Sequence, residues 1–163
     1  MQSRTRLAEA VMVAMMLCWS SSAQTSYGQA SYAQGSAVRA ERELYASVND
    51  ARRAQGLPSL QWNESLAVAA RRHAAVMAER GTAQHAFEGE PSLSVRVKQA
   101  GVHFSWLSEN VTQGPTAIFI HTQFMHSPAH RANIVDRDMD SVGVGVVEQG
   151  GQLFAVEDFA QVR

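Results

Sequence analysis

The sequence predicts an α+β fold in which helices and strands occupy separate stretches of the chain. Three observations carry this expectation. Apolar residues recur at helical spacing in much of the chain before Met139. After Met139 the pattern changes to two strand-like runs, Val142 to Glu148 and Gln152 to Gln161, which meet at Gly150-Gly151, a favoured hairpin turn. The length, 163 residues, suits a single hydrophobic core. Helices followed by strands argue for segregated layers rather than a parallel doubly wound sheet.

The chain opens with the three parts of a secretory signal. Arg4 and Arg6 supply positive charge, Val11 to Trp19 an apolar run, and Ser21-Ser22-Ala23 the small residues of a cleavage site. Residues 1–23 are therefore expected to be a signal peptide cut after Ala23, which makes the protein secreted or periplasmic. The apolar run is shorter than the about 20 residues that cross a bilayer, so no stable membrane span is expected. Cys18, the single cysteine, lies within that run, so the mature fold is independent of disulfides. The alternative use of Cys18 is as a lipoprotein acceptor, against which stands Leu17 where a small residue is usual. Residues 24–36, QTSYGQASYAQGS, hold a near-repeat and almost nothing to bury, the composition of a disordered linker. The domain proper is expected over 37–163.

Within the domain, Leu44, Val48 and Ala51 mark a first helix from Ala37 that Gly56 and Pro58 end. Asn63 is a suitable N-cap and Glu64 favours the positive helix start. Leu66, Ala70, His73 and Met77 then form one stripe of an alanine-rich second helix that closes at Gly81. Ser92 to Ala100 reads as a shorter helix closed by Gly101, and Pro115 opens another that reaches about Met125. Ser127 as N-cap and Pro128 as first helical residue start a further short one.

A net charge of −1 leaves no positive excess to neutralise a phosphate backbone, which argues against nucleic acid as a partner. A Gly-rich phosphate loop, a G-x-S-x-G elbow, an H-E-x-x-H pair and a cysteine in the mature chain are all missing, which disfavours the enzymes those motifs mark. The chemistry-bearing residues form a dispersed set instead: Gln84-His85, Ser108-Glu109-Asn110, and the run from His126 to Ile134.

Taken with Asn49, Arg52, Gly56-Leu57, Leu60 and Trp62, with His73-Ala74, Met77-Ala78 and Gly81, and with Val142-Gly143-Val144-Gly145, this ordered set resembles the bacterial CAP superfamily domain (cysteine-rich secretory, antigen 5, pathogenesis-related). The likeness runs from about residue 41 to 161. It implies a three-layer α-β-α sandwich with a small antiparallel sheet between helices. It also implies a cleft that carries two histidines and two glutamates, of which this chain matches three, His85, Glu109 and His130. Ser127 stands where many members have the second glutamate, three residues after Phe124 rather than a tryptophan, which puts any activity requiring both carboxylates in doubt.

Imidazole nitrogen is a good ligand for zinc or a similar divalent metal, so His85 and His130 are the candidate metal ligands and Glu109 the candidate catalytic group. The first turn of a helix disfavours protonation of His130, and neutral imidazole is the metal-binding form. The alternative is that His85, Glu109 and His130 form only a polar network locking loops over the sheet. His73, on an apolar stripe, reads as a hydrogen-bonded core residue, and His103, His121 and His126 show no partner spacing. Asp136, Asp138 and Asp140 imitate the start of an EF-hand loop but lack its glycine and glutamate, and read as an exposed acidic turn. The function expected is a secreted binding module for an unidentified small-molecule, lipid or cell-envelope ligand. The alternatives are a metal-assisted hydrolase acting on peptide or cell wall, with Glu109 as base, and a structural envelope protein. Oligomeric state is left open.

Overall fold

The computed structural model describes residues 34–163, and those from 36 onward form one unit. The expected signal peptide, Cys18 and most of the linker lie outside the described residues. A first helix, α1, covers residues 34–54, so it already includes residues 34–36, which the sequence assigned to the linker. The Ser36 hydroxyl also donates to Glu148. Gly56, at φ 69°, ends the helix in a conformation that favours glycine.

The other elements follow as β1 (Gln61–Trp62), α2 (Glu64–Arg80), α3 (Leu93–Gln99), β2 (Phe104–Gly114), α4 (Ala117–His126), α5 (Pro128–Ile134), β3 (Ser141–Gln149) and β4 (Gln152–Val162). Asn63 caps α2 by accepting from the Leu66 amide at 3.0 Å, and Gly81 closes it in the left-handed region. Thr116, rather than Pro115, caps α4.

The sheet order is β1-β3-β4-β2. The β3–β4 hairpin is antiparallel as expected, and two features were not foreseen. β2 is an 11-residue strand paired antiparallel to β4, and β1 adds a two-residue parallel contact to β3, so the sheet is mixed at that edge.

Residues opposite each other on antiparallel strands share a face, which divides the core in two. On one face Val111, Val156 and Ala160 pack against α2 and α3 through Ala70, Ala74, Met77, Leu66 and Val97. On the other, Val142, Val144, Ala155 and Phe159 pack against Leu44 and Val48 of α1, Ile120 and Phe124 of α4, and Ile134 of α5. The result is the three-layer α-β-α sandwich. A Cβ at Gly143 would lie 2.1 Å from the Ala67 nitrogen, and one at Gly145 would lie 2.1 Å from that of Arg71. The two glycines therefore let the α2 backbone rest directly on β3. Arg52, fully buried, donates to the carbonyls of Pro58, Ile134, Asp136 and Met139, which ties α1 to the turn after α5.

Candidate functional site

The site lies at the β2 edge of the sheet. Glu109 is in the middle of β2, opposite Asp158 on β4. Its side chain is buried and both of its oxygens are engaged. Oε1 meets His85 Nδ1 at 2.9 Å, and Oε2 pairs with the Arg96 guanidinium from α3.

His85 stands on the segment that follows the Gly81 cap, and three anchors hold that segment. His73 Nε2 bonds the Gln84 carbonyl at 2.8 Å, and Arg96 donates to the carbonyls of His85 at 3.4 Å and Pro91 at 3.2 Å. The His73 Nδ1 meets Glu90 Oε1 at 2.6 Å. The Gln84 carbonyl only accepts, so Nε2 is the donor of that bond. His73 is thus the buried, fully hydrogen-bonded residue its apolar stripe implied, and it supports His85 from below.

His130 comes from the opposite helical layer. Ser127, the N-cap of α5, directs its hydroxyl to the His130 amide at 3.5 Å, so its side chain serves the helix start. Asn110, next to Glu109 but on the other face, donates to the His130 carbonyl and to Glu157 Oε2, each at 3.1 Å. Asn133 reaches back to Asn110 Oδ1 at 2.9 Å and to the Glu109 carbonyl at 3.3 Å. The rings of His85 and His130 thereby approach across the strand edge to 6.4 Å between centroids, and Phe124 packs edge-on against His130 at 5.1 Å.

The two imidazoles are poised differently. The Glu109 hydrogen bond raises the His85 pKa against the opposing effect of burial, whereas burial and then the His85 charge lower that of His130. A proton added to the neutral pair therefore goes to His85 before His130, and only the neutral form of His85 keeps a lone pair for a ligand. Behind them, Asp158 is fully buried and neither of its oxygens meets a donor among the described residues. Burial, then the neighbouring Glu109 charge, push its carboxyl well above its ordinary value, with Arg96 offsetting only part.

No group of three or more His, Cys, Asp or Glu side chains among the described residues is arranged to hold a metal ion. Two imidazoles are what the site offers. With Nδ1–H bonded to Glu109, His85 keeps the Nε2 lone pair, and its side chain is 60% exposed. This is a carboxylate–histidine pairing of the kind that orients metal ligands, and His85 and His130 are the two residues that would hold a cation, with water or ligand completing its coordination. Elsewhere, His126 Nδ1 bonds the Thr122 carbonyl, the His103 carbonyl accepts from the Arg163 amide, and His121 is half-buried with no partner at Nδ1 among the described residues. Asp136 accepts from the Asp138 amide within the turn, and Asp140 accepts from the Val162 amide at the end of β4.

Sequence reasoning missed Arg96, Glu90 and Asp158. Arg96 carries no local signal on a short helix, and Glu157-Asp158 sits inside an otherwise apolar strand where only its pairing with Glu109-Asn110 reveals a purpose.

Residues 45–159 match the family model described as CAP, the cysteine-rich secretory protein family. The uncharacterised protein YkwD of Bacillus subtilis is 30% identical over 111 residues, which cover 68% of this chain and 43% of that protein. The uncharacterised membrane protein YlbC of the same organism is 28% identical over 110 residues, covering 65% of this chain and 31% of that one. The chain thus spans less than half the length of these curated relatives. In fold, an extracellular SCP-domain protein of Bacillus anthracis superposes with a TM-score of 0.70 at 22% identity, covering 75% of this chain and 40% of that one. An outer surface protein of Borrelia burgdorferi does so with 0.71 at 19%, covering 77% and 94%.

Proposed function

The chain belongs to the cysteine-rich secretory protein (CAP) family, and from that premise we propose that it is an exported binding module whose ligand site is the His85–His130 pair, with a divalent cation such as zinc held between the two imidazoles. The observation that carries this reading is the 2.9 Å bond between His85 Nδ1 and Glu109, which fixes the tautomer and leaves Nε2 free at the surface. Glu109 orients His85 and balances its charge, Arg96 holds Glu109, and Asn110 with Asn133 fixes the first turn of α5 that carries His130. A bound divalent ion would supply Lewis acidity and a coordination point for an oxygen-bearing ligand of small-molecule, lipid or cell-envelope origin.

Glu109 is poorly placed as a free base for a hydrolase, because His85 and Arg96 occupy its oxygens. Calorimetric titration with zinc tests the binding reading. One ion per domain is expected, with uptake lost in His85→Ala and in His130→Ala; no uptake, or uptake indifferent to both, leaves only the structural network. Export rests on the charged start, apolar run and small-residue site of residues 1–23. Intact mass of the protein recovered outside a secreting cell should correspond to a chain beginning at Gln24, and a mass that retains Met1 contradicts it.

A further inference from the structure

A second site lies at the opposite edge of the sheet, where β1 meets the start of α1 and α2. A groove of about 330 Å³ opens there, in the range of small-ligand pockets. Its centre is Arg71. The guanidinium makes two parallel bonds to Glu41, each 2.8 Å, and a third of 2.6 Å to Glu64 Oε1. Glu64 Oε2 accepts from the Trp62 indole at 2.9 Å, and the Tyr45 hydroxyl donates to the Leu60 carbonyl at 3.1 Å. The rings of Tyr45 and Trp62 meet edge to face at 5.4 Å and 80°, which makes a rigid aromatic corner.

This network locks α1 onto α2, yet it is not used up by doing so. Arg71 has five N–H groups and spends three, so two remain, and its side chain is 36% exposed. Glu64 is 64% exposed, with lone pairs to spare on both oxygens, and the Tyr45 oxygen can still accept. Arg42, exposed on the groove lining, has no partner among the described residues. Glu41 and Glu64 against Arg42 and Arg71 make the lining neutral overall.

Charge and hydrogen-bond pattern together select the ligand. An inorganic anion would meet Glu64, and a cation would meet the two arginines. A hydroxyl both donates and accepts, and adjacent hydroxyls match adjacent guanidinium donors and carboxylate acceptors. The aromatic corner and Val38, itself exposed, supply a wall for an apolar C–H face. We propose that this groove is a saccharide-binding site that takes a pyranose unit of a glycan, independent of the histidine cleft.

Calorimetric titration of the whole domain with the tetramer of N-acetylglucosamine, and with glucose oligomers for comparison, tests this. Saturable binding at or below about 1 mM is expected for at least one of them, weakened about tenfold or more in Trp62→Ala. Because Trp62 also packs on the core, the exposed change Glu64→Ala supplies a second reading, with a loss of about fivefold or more expected. Zinc uptake measured on the same Glu64→Ala sample should equal that of the parent, so failure here is separable from failure at the cleft. No saturation with any oligomer overturns the assignment. So does binding indifferent to both substitutions, or saturation by a peptide or inorganic phosphate in place of the sugars.

Discussion

Glu157 is wholly buried on β4, and burial lifts its carboxyl to about pH 8, with the Asn110 hydrogen bond opposing only in part. The folded protein therefore keeps a proton that the unfolded chain releases near pH 4.5. Stability from this group is complete below the unfolded value and drains away as pH rises toward about 8. Glu157→Gln keeps an acceptor for Asn110 without the ionisation. Relative to the parent it should gain stability steadily from pH 5 to pH 8, on the order of a few kcal/mol at the upper end. Melting temperatures across that range check this, and a difference that stays flat with pH would contradict it. At the same scale, His85, Glu109 and His130 were legible because each sits in a recognisable run of neighbours. Arg96 and Asp158 were not, because their roles arise from contact with Glu109 across 13 residues and across a strand pair.

Among the elements, α2 and β3 lie in direct backbone contact. The Leu66–Ala67 and Ala70–Arg71 backbone fills the space that a side chain at Gly143 or Gly145 would need. Gly143→Ala would force α2 off the sheet and cost about 3 kcal/mol or more. Urea unfolding measures this, and a variant as stable as the parent would show that the helix can shift freely. The helices and the final hairpin were legible from period and caps. β2 was not, because Ser108-Glu109-Asn110 interrupts its apolar pattern. Both faces of that stretch point into helical layers, where Glu109 meets His85 and Arg96 and Asn110 meets Glu157, so polar residues occupy strand positions that usually read as apolar. The two-residue β1 is shorter than any sequence periodicity can mark.

At the scale of the whole molecule, the sheet acts as a partition with chemistry at both rims. The adjacent pair Glu109-Asn110 on β2, matched by Asp158 and Glu157 on β4, places two buried carboxyls, Glu109 and Asp158, on one face and a third, Glu157, on the other. One face supports His85 from the α2–α3 layer and the other supports His130 from the α4–α5 layer. The imidazoles can meet only because β2 is the edge strand, around which both layers reach. The alternation of faces along a strand thus turns two neighbouring residues into supports for groups more than 40 positions apart in sequence. In the proposed function these two layers converge on one cation. Diffraction from zinc-soaked crystals of the domain, recorded at the zinc absorption edge, tests it most directly. A single strong anomalous peak beside His85 and His130 is expected, with Glu109 still bonded to His85 Nδ1; a peak elsewhere on the surface, or none at all, would contradict the proposed function.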